Sequence, residues 1–460
     1  MFLPSVLANA SPSLLPARNQ MALSLGWHIV LACFGMALPA MIFVLHRRGL
    51  RGDDDALELA KRWSKIAGVL FAIGAVSGTI LSFELGLLWP GLMEQYGDVV
   101  GLAFALEGIA FFLEAIFLGI YIYGWGRIPG RVHSLMLTPV MAAGVAGGFF
   151  VISVNAWMNA PTGFDIVGGK VVNVDPLAAI FNSAVWLQFI HMYLAAVMVV
   201  GFLMAGTYAR GYLKGRTDRL HQLGIVVPLL FASIATPLQP LVGHFAGQRI
   251  ADDQPIKLAA MEGLAESTSR ADLEVGGLFI DGELHGAIRV PIAGLLSFLA
   301  QNNFDADVLG LDAVPPEDRP PAAIVHASYS LMIAIGTALV GLIALLGFRR
   351  WRGRSLYESR LILRLLVVAG PAAVIAMETG WVTTEVGRQP WIVNGILRTE
   401  DAVTEAGYIW ITLAVLAVVY AAMTVGATLV LRSMSRRWAA GEHDLESPYG
   451  PTMIRVEGAQ

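Results

Sequence analysis

Phe189-Ile190-His191-Met192-Tyr193-Leu194-Ala195-Ala196-Val197-Met198-Val199-Val200-Gly201-Phe202-Leu203-Met204-Ala205-Gly206 contains no acidic or basic group except one histidine, and Arg210 and Lys214 close it. A helix needs roughly 20 apolar residues to cross a hydrocarbon core of about 30 Å. In lipid, backbone polar groups must be satisfied within the segment, so helix is the state such a run takes. Apolar runs cut off by basic residues or by Gly and Pro recur along the chain. Read this way, the spans lie at about 20–45, 64–87, 100–124, 133–157, 177–208, 221–244, 323–348, 361–382 and 406–431.

Composition agrees. Of 460 residues, 56% are hydrophobic and 14% charged, against about 25% charged in ordinary soluble domains, and the mean hydropathy is +0.64. These values exclude a soluble globular enzyme, a disordered tail and a nucleic-acid binder. The net charge of −4 decides nothing. The lone Cys33 excludes an internal disulfide, a thiolate metal cluster and a haem attached through C-x-x-C-H. The fold class is therefore all-α, a polytopic membrane protein of nine transmembrane helices.

Basic residues orient it. Arg47, Arg48, Arg51, Lys61, Arg62 and Lys65 follow span one. Arg127 and Arg131 follow span three, and Arg210, Lys214, Arg216 and Arg219 follow span five. Arg349 to Arg360 follow span seven, and Arg432 to Arg437 follow span nine. The opposite short connections hold only Lys170, Arg388 and Arg398. This predicts a periplasmic N-terminus and a cytoplasmic C-terminus. Met1–Pro16 lacks the basic n-region of a cleaved signal peptide. The expected organisation is helices one to six over 1–244, a periplasmic loop over 245–322, helices seven to nine over 323–432 and a cytoplasmic tail over 433–460. A loop that long, with apolar patches such as Leu278-Phe279-Ile280, reads as folded and in contact with substrate.

Ionisable groups within spans mark function by default. His28 lies in span one, Glu107 and Glu114 in span three, His191 in span five and Glu378 near the outer end of span eight. Seven residues turn a helix by about 700°, so Glu107 and Glu114 share a face about 10 Å apart. A lone intramembrane histidine serves as readily for packing as for ligation, Met332 taken alone reads as core, and a Glu pair could line the ion path of a transporter. His46, His133, His221, His244, His285, His326 and His443 fall at span ends or in loops and are given no role. On the predicted orientation, His28, Met332 and Glu378 lie in the outer half of the bilayer and His191 near its middle. Imidazole, thioether and carboxylate at such depths are donors that haem irons take.

Several stretches carry a resemblance. They are Arg18-Asn19-Gln20-Met21-Ala22-Leu23 with Trp27-His28, Leu106-Glu107-Gly108 with Phe111-Phe112-Leu113-Glu114, Asn155–Pro161, Phe189-Ile190-His191 and Lys257–Glu262. Leu331-Met332, Glu378-Thr379-Gly380-Trp381 and Gly387-Arg388-Gln389-Pro390-Trp391 follow in order. Over nearly its whole length the chain resembles subunit I of the cytochrome bd quinol oxidases. The resemblance implies that His191 and Met332 are axial ligands of a low-spin haem b. His28 and Glu378 match ligands of a high-spin haem b and of a third haem, d or b. Lys257 and Glu262 match quinol-binding residues of the external Q-loop, Glu107 and Glu114 match the proton path, and Arg388, Gln389 and Trp391 match the signature beside the haems. It also implies a second large subunit, with small single-span subunits in some members, ubiquinol or menaquinol and O2 as substrates, and a bacterial cytoplasmic (inner) membrane. Ser330 stands where many relatives have arginine, Asn159 and Glu84 where glutamine is usual, and the Q-loop is short. With Phe83–Trp89 and Thr384–Trp391, these features resemble the cyanide-insensitive branch. The implied activity is quinol oxidation outside and O2 reduction to water with cytoplasmic protons, without pumping. The competing readings are a haem quinone oxidoreductase that does not reduce O2, a proton-coupled transporter and a non-catalytic scaffold subunit.

Overall fold

A computed structural model describes residues 11–440. Met1–Ala10 of the expected N-terminal stretch, most of the expected tail and His443 lie outside the described residues. Nine helices long and apolar enough to cross a membrane occur among the described residues. They are α1 Leu14–Gly49, α2 Asp54–Leu88, α3 Pro90–Tyr123, α4 Leu137–Asn159, α5 Val185–Leu213, α6 Arg219–Asp253, α7 Ala322–Trp351, α8 Arg360–Val386 and α9 Ile409–Ala439. The short helix Gly130–Leu135 leads into α4.

Their ends follow local chemistry. The Asp53 and Asp218 side chains accept backbone N–H bonds at the starts of α2 and α6, and Ser359 does so for α8. Each satisfies a donor that the first helical turn leaves over. Basic side chains fill the last turns of α1, α7 and α9, where the negative end of the helix dipole favours them.

Most helices run beyond the apolar runs: α2 starts at Asp54 rather than 64, α3 at Pro90 rather than 100, and α9 ends at Ala439 rather than 431. Two further differences alter the connections. The fifth span was expected from 177, but Pro176–Ile180 is a separate short helix capped by Asp175. Asn182 then breaks the chain: its Nδ2 donates to Ala179 and Ser153 carbonyls, and its Oδ1 accepts from Ala184 N–H. The sixth helix runs past 244 to Asp253, so the connection that follows begins further on than 245.

The main core joins α1, α2, α5, α6 and α8, with Trp63, Phe202, Leu38 and Met41 fully buried. α5 packs against α6 and α8, α3 against α4, and α7 against α8. Over the α6–α7 ends, residues 254–321 form a folded cap: the short helix Pro255–Glu262, two-residue to three-residue antiparallel strands including Leu278–Ile280 with Glu283–His285, and the helix Leu295–Gln301. Two small apolar clusters hold it together. The His326 ring of α7 ties the cap down, its nitrogens each 2.9 Å from the backbone oxygens of Met261 and Gly276. From sequence alone this histidine carries no role.

Candidate functional site

The predicted donors converge on neighbouring helices, and a glycine stands against each. A Cβ on Gly78 of α2 would lie 3.0 Å from His28 Cε1, and one on Gly26 of α1 would lie 3.3 Å from Glu378 Oε2. A Cβ on Gly243 of α6 would lie 3.2 Å from His191 Cε1, and one on Gly380 of α8 would lie 3.0 Å from Met332 Sδ. Gly26 is two residues before His28 and Gly380 two after Glu378, so Glu378 packs on α1 close along the chain to His28, and Met332 packs on α8 close along the chain to Glu378.

Hydrogen bonding decides what the imidazoles offer. Ser77 Oγ donates its only proton to the Gly74 carbonyl at 3.0 Å and lies 2.8 Å from His28 Nδ1. With Nδ1 as the donor to that hydroxyl, Nε2 keeps its lone pair for a metal. His191 Nε2 faces the Gln239 side-chain amide at 3.1 Å. Among the described residues His191 Nδ1, Gln239 Oε1 and Glu378 Oε1 are buried without a hydrogen-bond partner. Buried polar atoms are rarely left so.

Just past the end of α8, ten residues beyond Glu378, lies a second polar group. Arg388, 4% exposed, donates from one terminal nitrogen to Glu385 Oε2 at 2.7 Å, while its Nε and other terminal nitrogen are buried without partners. Gln389 Oε1 accepts from Arg18 at 2.7 Å and from Thr399 Oγ1 at 2.9 Å. Trp391 carries the Arg398 guanidinium over its ring at 4.9 Å. Unsatisfied guanidinium N–H groups in a bundle that also offers nitrogen, sulfur and carboxylate donors suit a haem, whose propionates are carboxylates. The residues present fit that group. Among the described residues no cluster of three or more His, Cys, Asp or Glu could hold a bare metal ion.

Lys257 and Glu262 share the short helix Pro255–Glu262, but five residues set them about 140° apart. They do not pair. Lys257, 4% exposed, donates to Asn159 Oδ1 at 2.8 Å, and burial, reinforced by the Arg388 charge, lowers it to about 7. Glu262 is hydrogen-bonded to Tyr329 of α7, three residues before Met332, and burial raises its carboxyl to about 7 despite that bond. Asn159 Nδ2 donates to the Asn155 carbonyl at 2.8 Å, and Asn155 donates to Glu385. A run of side chains thus connects Lys257 to Arg388. Tyr329 and Asn155 were not singled out as site residues from sequence. Tyr329 carried no signal there, because its partner lies in a distant loop.

Glu107 is partly covered, and Glu114 is buried with Gly35 and Gly144 against its carboxylate. Glu84 Oε1 accepts from Gln20 at 2.8 Å, and Gln20 accepts from Thr412 at 2.7 Å, so this acid ties α2 to α1 and α9.

Residues 16–438 match the sequence profile of the cytochrome bd terminal oxidase subunit I family. The chain belongs to that family. A Bacillus subtilis (strain 168) protein, by name provisionally a cytochrome bd menaquinol oxidase subunit I, is 36% identical over 93% of this chain and 97% of its own length. The cytochrome bd ubiquinol oxidase subunit 1 of the same organism is 30% identical over 93% of this chain and 94% of its own. The structure of the bd oxidase from Geobacillus thermodenitrificans superposes with a TM-score of 0.87 at 36% identity, covering 93% of this chain and 99% of that one. As a member of this family the protein is a multi-pass membrane subunit of a terminal respiratory oxidase that uses haem and works with a subunit II.

Proposed function

We propose that the protein is the haem-bearing catalytic subunit of a quinol:O2 oxidoreductase. In this reading His191 and Met332 hold a low-spin haem b, and His28 and Glu378 hold a high-spin haem b and a third haem, d or b. Arg388, Gln389 and Trp391 secure the macrocycles' polar edge. The observation that carries the reading is the set of four donors on separate helices, each with a glycine packed against it, with His191 Nδ1 and Glu378 Oε1 left unpartnered. Bound haems supply the one-electron chemistry linking quinol to oxygen.

The chain's own residues do the rest. The basic connections favour a periplasmic N-terminus and a cytoplasmic C-terminus, which puts the Q-loop cap outside. There Glu262 takes a proton from the quinol hydroxyl, and Lys257 steadies the oxygen that loses it. Both groups lie near 7, where such a base and such a cation work. Glu107 and Glu114 lead cytoplasmic protons towards the oxygen-reducing end. Protons are released outside and consumed from inside, so charge separates without a pump. A relative named for menaquinol stands beside one named for ubiquinol, so both quinones belong in the assay. The inner membrane of a bacterium is the setting, with subunit II and small single-span subunits as partners. A transporter has no use for the unpartnered ligand set, and a quinone oxidoreductase that spares oxygen has none for both His28 and Glu378.

The test is a reduced-minus-oxidised spectrum of the purified complex, with and without carbon monoxide, beside pyridine haemochrome quantitation. Three haems with a carbon-monoxide-binding high-spin component are expected, and a long-wavelength chlorin band identifies haem d. A preparation without haem overturns the reading.

A further inference from the structure

The face of α3 that carries Glu107 and Glu114 carries Tyr121 at the same interval. Two further turns, about 10 Å, take the stripe to the basic end of the bundle. Tyr121 is fully buried, and His46 and His133 are 1% and 2% exposed, although all three lie where basic residues crowd the helix ends. His46 Nδ1 is 3.0 Å from the Tyr121 hydroxyl, and His133 Nε2 is 2.7 Å from the Tyr121 backbone oxygen. The rings pack closely: His133 stacks on Tyr121 at 4.6 Å, and His46 lies edge to face with His133 at 5.1 Å and stacked on Trp125 at 4.7 Å.

A carbonyl only accepts, so His133 Nε2 carries a hydrogen and leaves Nδ1 as the ring's acceptor. Two buried imidazoles around one phenol are more than packing requires, since apolar rings would fill the same space without polar atoms to satisfy. The charged groups facing His46 are Arg47 and Lys61, the latter 5.7 Å from the Trp125 ring.

We propose that His46, His133 and Tyr121 form the proton-collecting mouth of the Glu107–Glu114 path. The proposal rests on that path and on the orientation argued above. A proton from cytoplasmic water binds Nε2 of His46, while His133, hydrogen-bonded to the Tyr121 carbonyl and stacked on its ring, holds the phenol in place. His46 then releases the hydrogen on Nδ1 to the Tyr121 oxygen, and the phenol gives up its own proton towards Glu114 through water. One proton moves, and no electron or covalent bond between residues is exchanged.

The experiment uses the whole complex in vesicles and follows oxygen consumption with quinol and with an artificial reductant. The variants are His46→Ala, His133→Ala, Tyr121→Phe and Glu114→Gln, and haem spectra check the fold. In the histidine variants turnover should fall by ~10-fold or more, most at alkaline pH where protons are scarce. Added imidazole should restore it several-fold in His46→Ala, because a small base can carry protons to an emptied mouth but cannot rebuild packing. Tyr121→Phe keeps the stacked ring and should slow turnover without rescue. A wild-type rate at every pH in Tyr121→Phe, or a His46→Ala defect that imidazole leaves unchanged, overturns the proposal. Loss in Glu114→Gln with full activity in both histidine variants overturns it while sparing the path. Full activity in Glu114→Gln overturns the path and the proposal together.

Discussion

At the Glu378 end of the bundle, His191 Nδ1, Glu378 Oε1 and two Arg388 nitrogens are buried with no partner. At the basic end, His46, Tyr121 and His133 bond to one another. Both clusters are built from similar side chains, inside the same apolar bundle. Polar atoms that the protein leaves unmatched point to a group that the chain itself does not supply. Polar atoms matched among themselves form a network that needs no outside group, suited to moving a proton or fixing helices. The same distinction divides the short helix of the cap, where Lys257 reaches towards the Arg388 group and Glu262 reaches Tyr329.

The most severe way to break this comparison is to remove a donor from the unmatched end. His191→Ala or Met332→Leu should abolish the low-spin haem bands and reduce quinol oxidase turnover to background, with helix content unchanged by circular dichroism. Each leaves the apolar packing of α5 or α7 largely in place, since neither side chain belongs to the fully buried core. A variant with wild-type reduced-minus-oxidised bands would remove that residue from the ligand set.

How far sequence carries towards these groups depends on distance along the chain. The nine spans were legible because each is a continuous apolar run, and the Glu107–Glu114 face because helical spacing is local. The helix ends were not. α6 continues to Asp253 through Arg249, whose Nε donates to Asp253 at 2.7 Å, so charged residues that read as loop extend the helix instead. The break at Asn182 depends on a bond to Ser153, in a different helix. His46 and His133 were set aside because each sits at a span end, and only the packing of α1 against the approach to α4 shows that they share Tyr121. Lys257 and Glu262 are close in sequence, yet their spacing alone places them on different sides of a helix.

A smaller effect separates the two arms of the cap. If Glu262 must be ionised to accept the quinol proton, kcat/KM for quinol rises as pH climbs through about 7, the value to which burial raises it. If Lys257 must be charged, the same parameter falls as pH climbs through about 7, the value to which burial lowers it. The profile should be a bell centred near neutrality. Glu262→Gln should lose ~100-fold in kcat/KM together with the acid limb. Lys257→Arg keeps its charge to far higher pH and should flatten the alkaline limb with a lesser loss of rate. Identical profiles for the two variants would show that the residues act as one unit, contrary to their separate partners.

The finest test uses two glycines on adjoining helices. An alanine Cβ at Gly380 would lie 3.0 Å from Met332 Sδ, whereas at Gly336, one turn along α7 from Met332, it would meet nothing within 4 Å. Gly336→Ala should leave the haem spectrum unchanged and raise thermal stability by about 0.5–1 kcal/mol, because alanine is the better helix former. Gly380→Ala gains the same propensity but forces the thioether to move by a few tenths of an ångström. A core methyl would absorb that shift with only a change in stability. A sulfur that ligates iron cannot, because its distance from the metal sets the field at the haem. Gly380→Ala should therefore shift the low-spin band and lower the midpoint potential of that haem, while protein stability stays close to wild type. An altered stability with an unmoved band would instead return Met332 to the core.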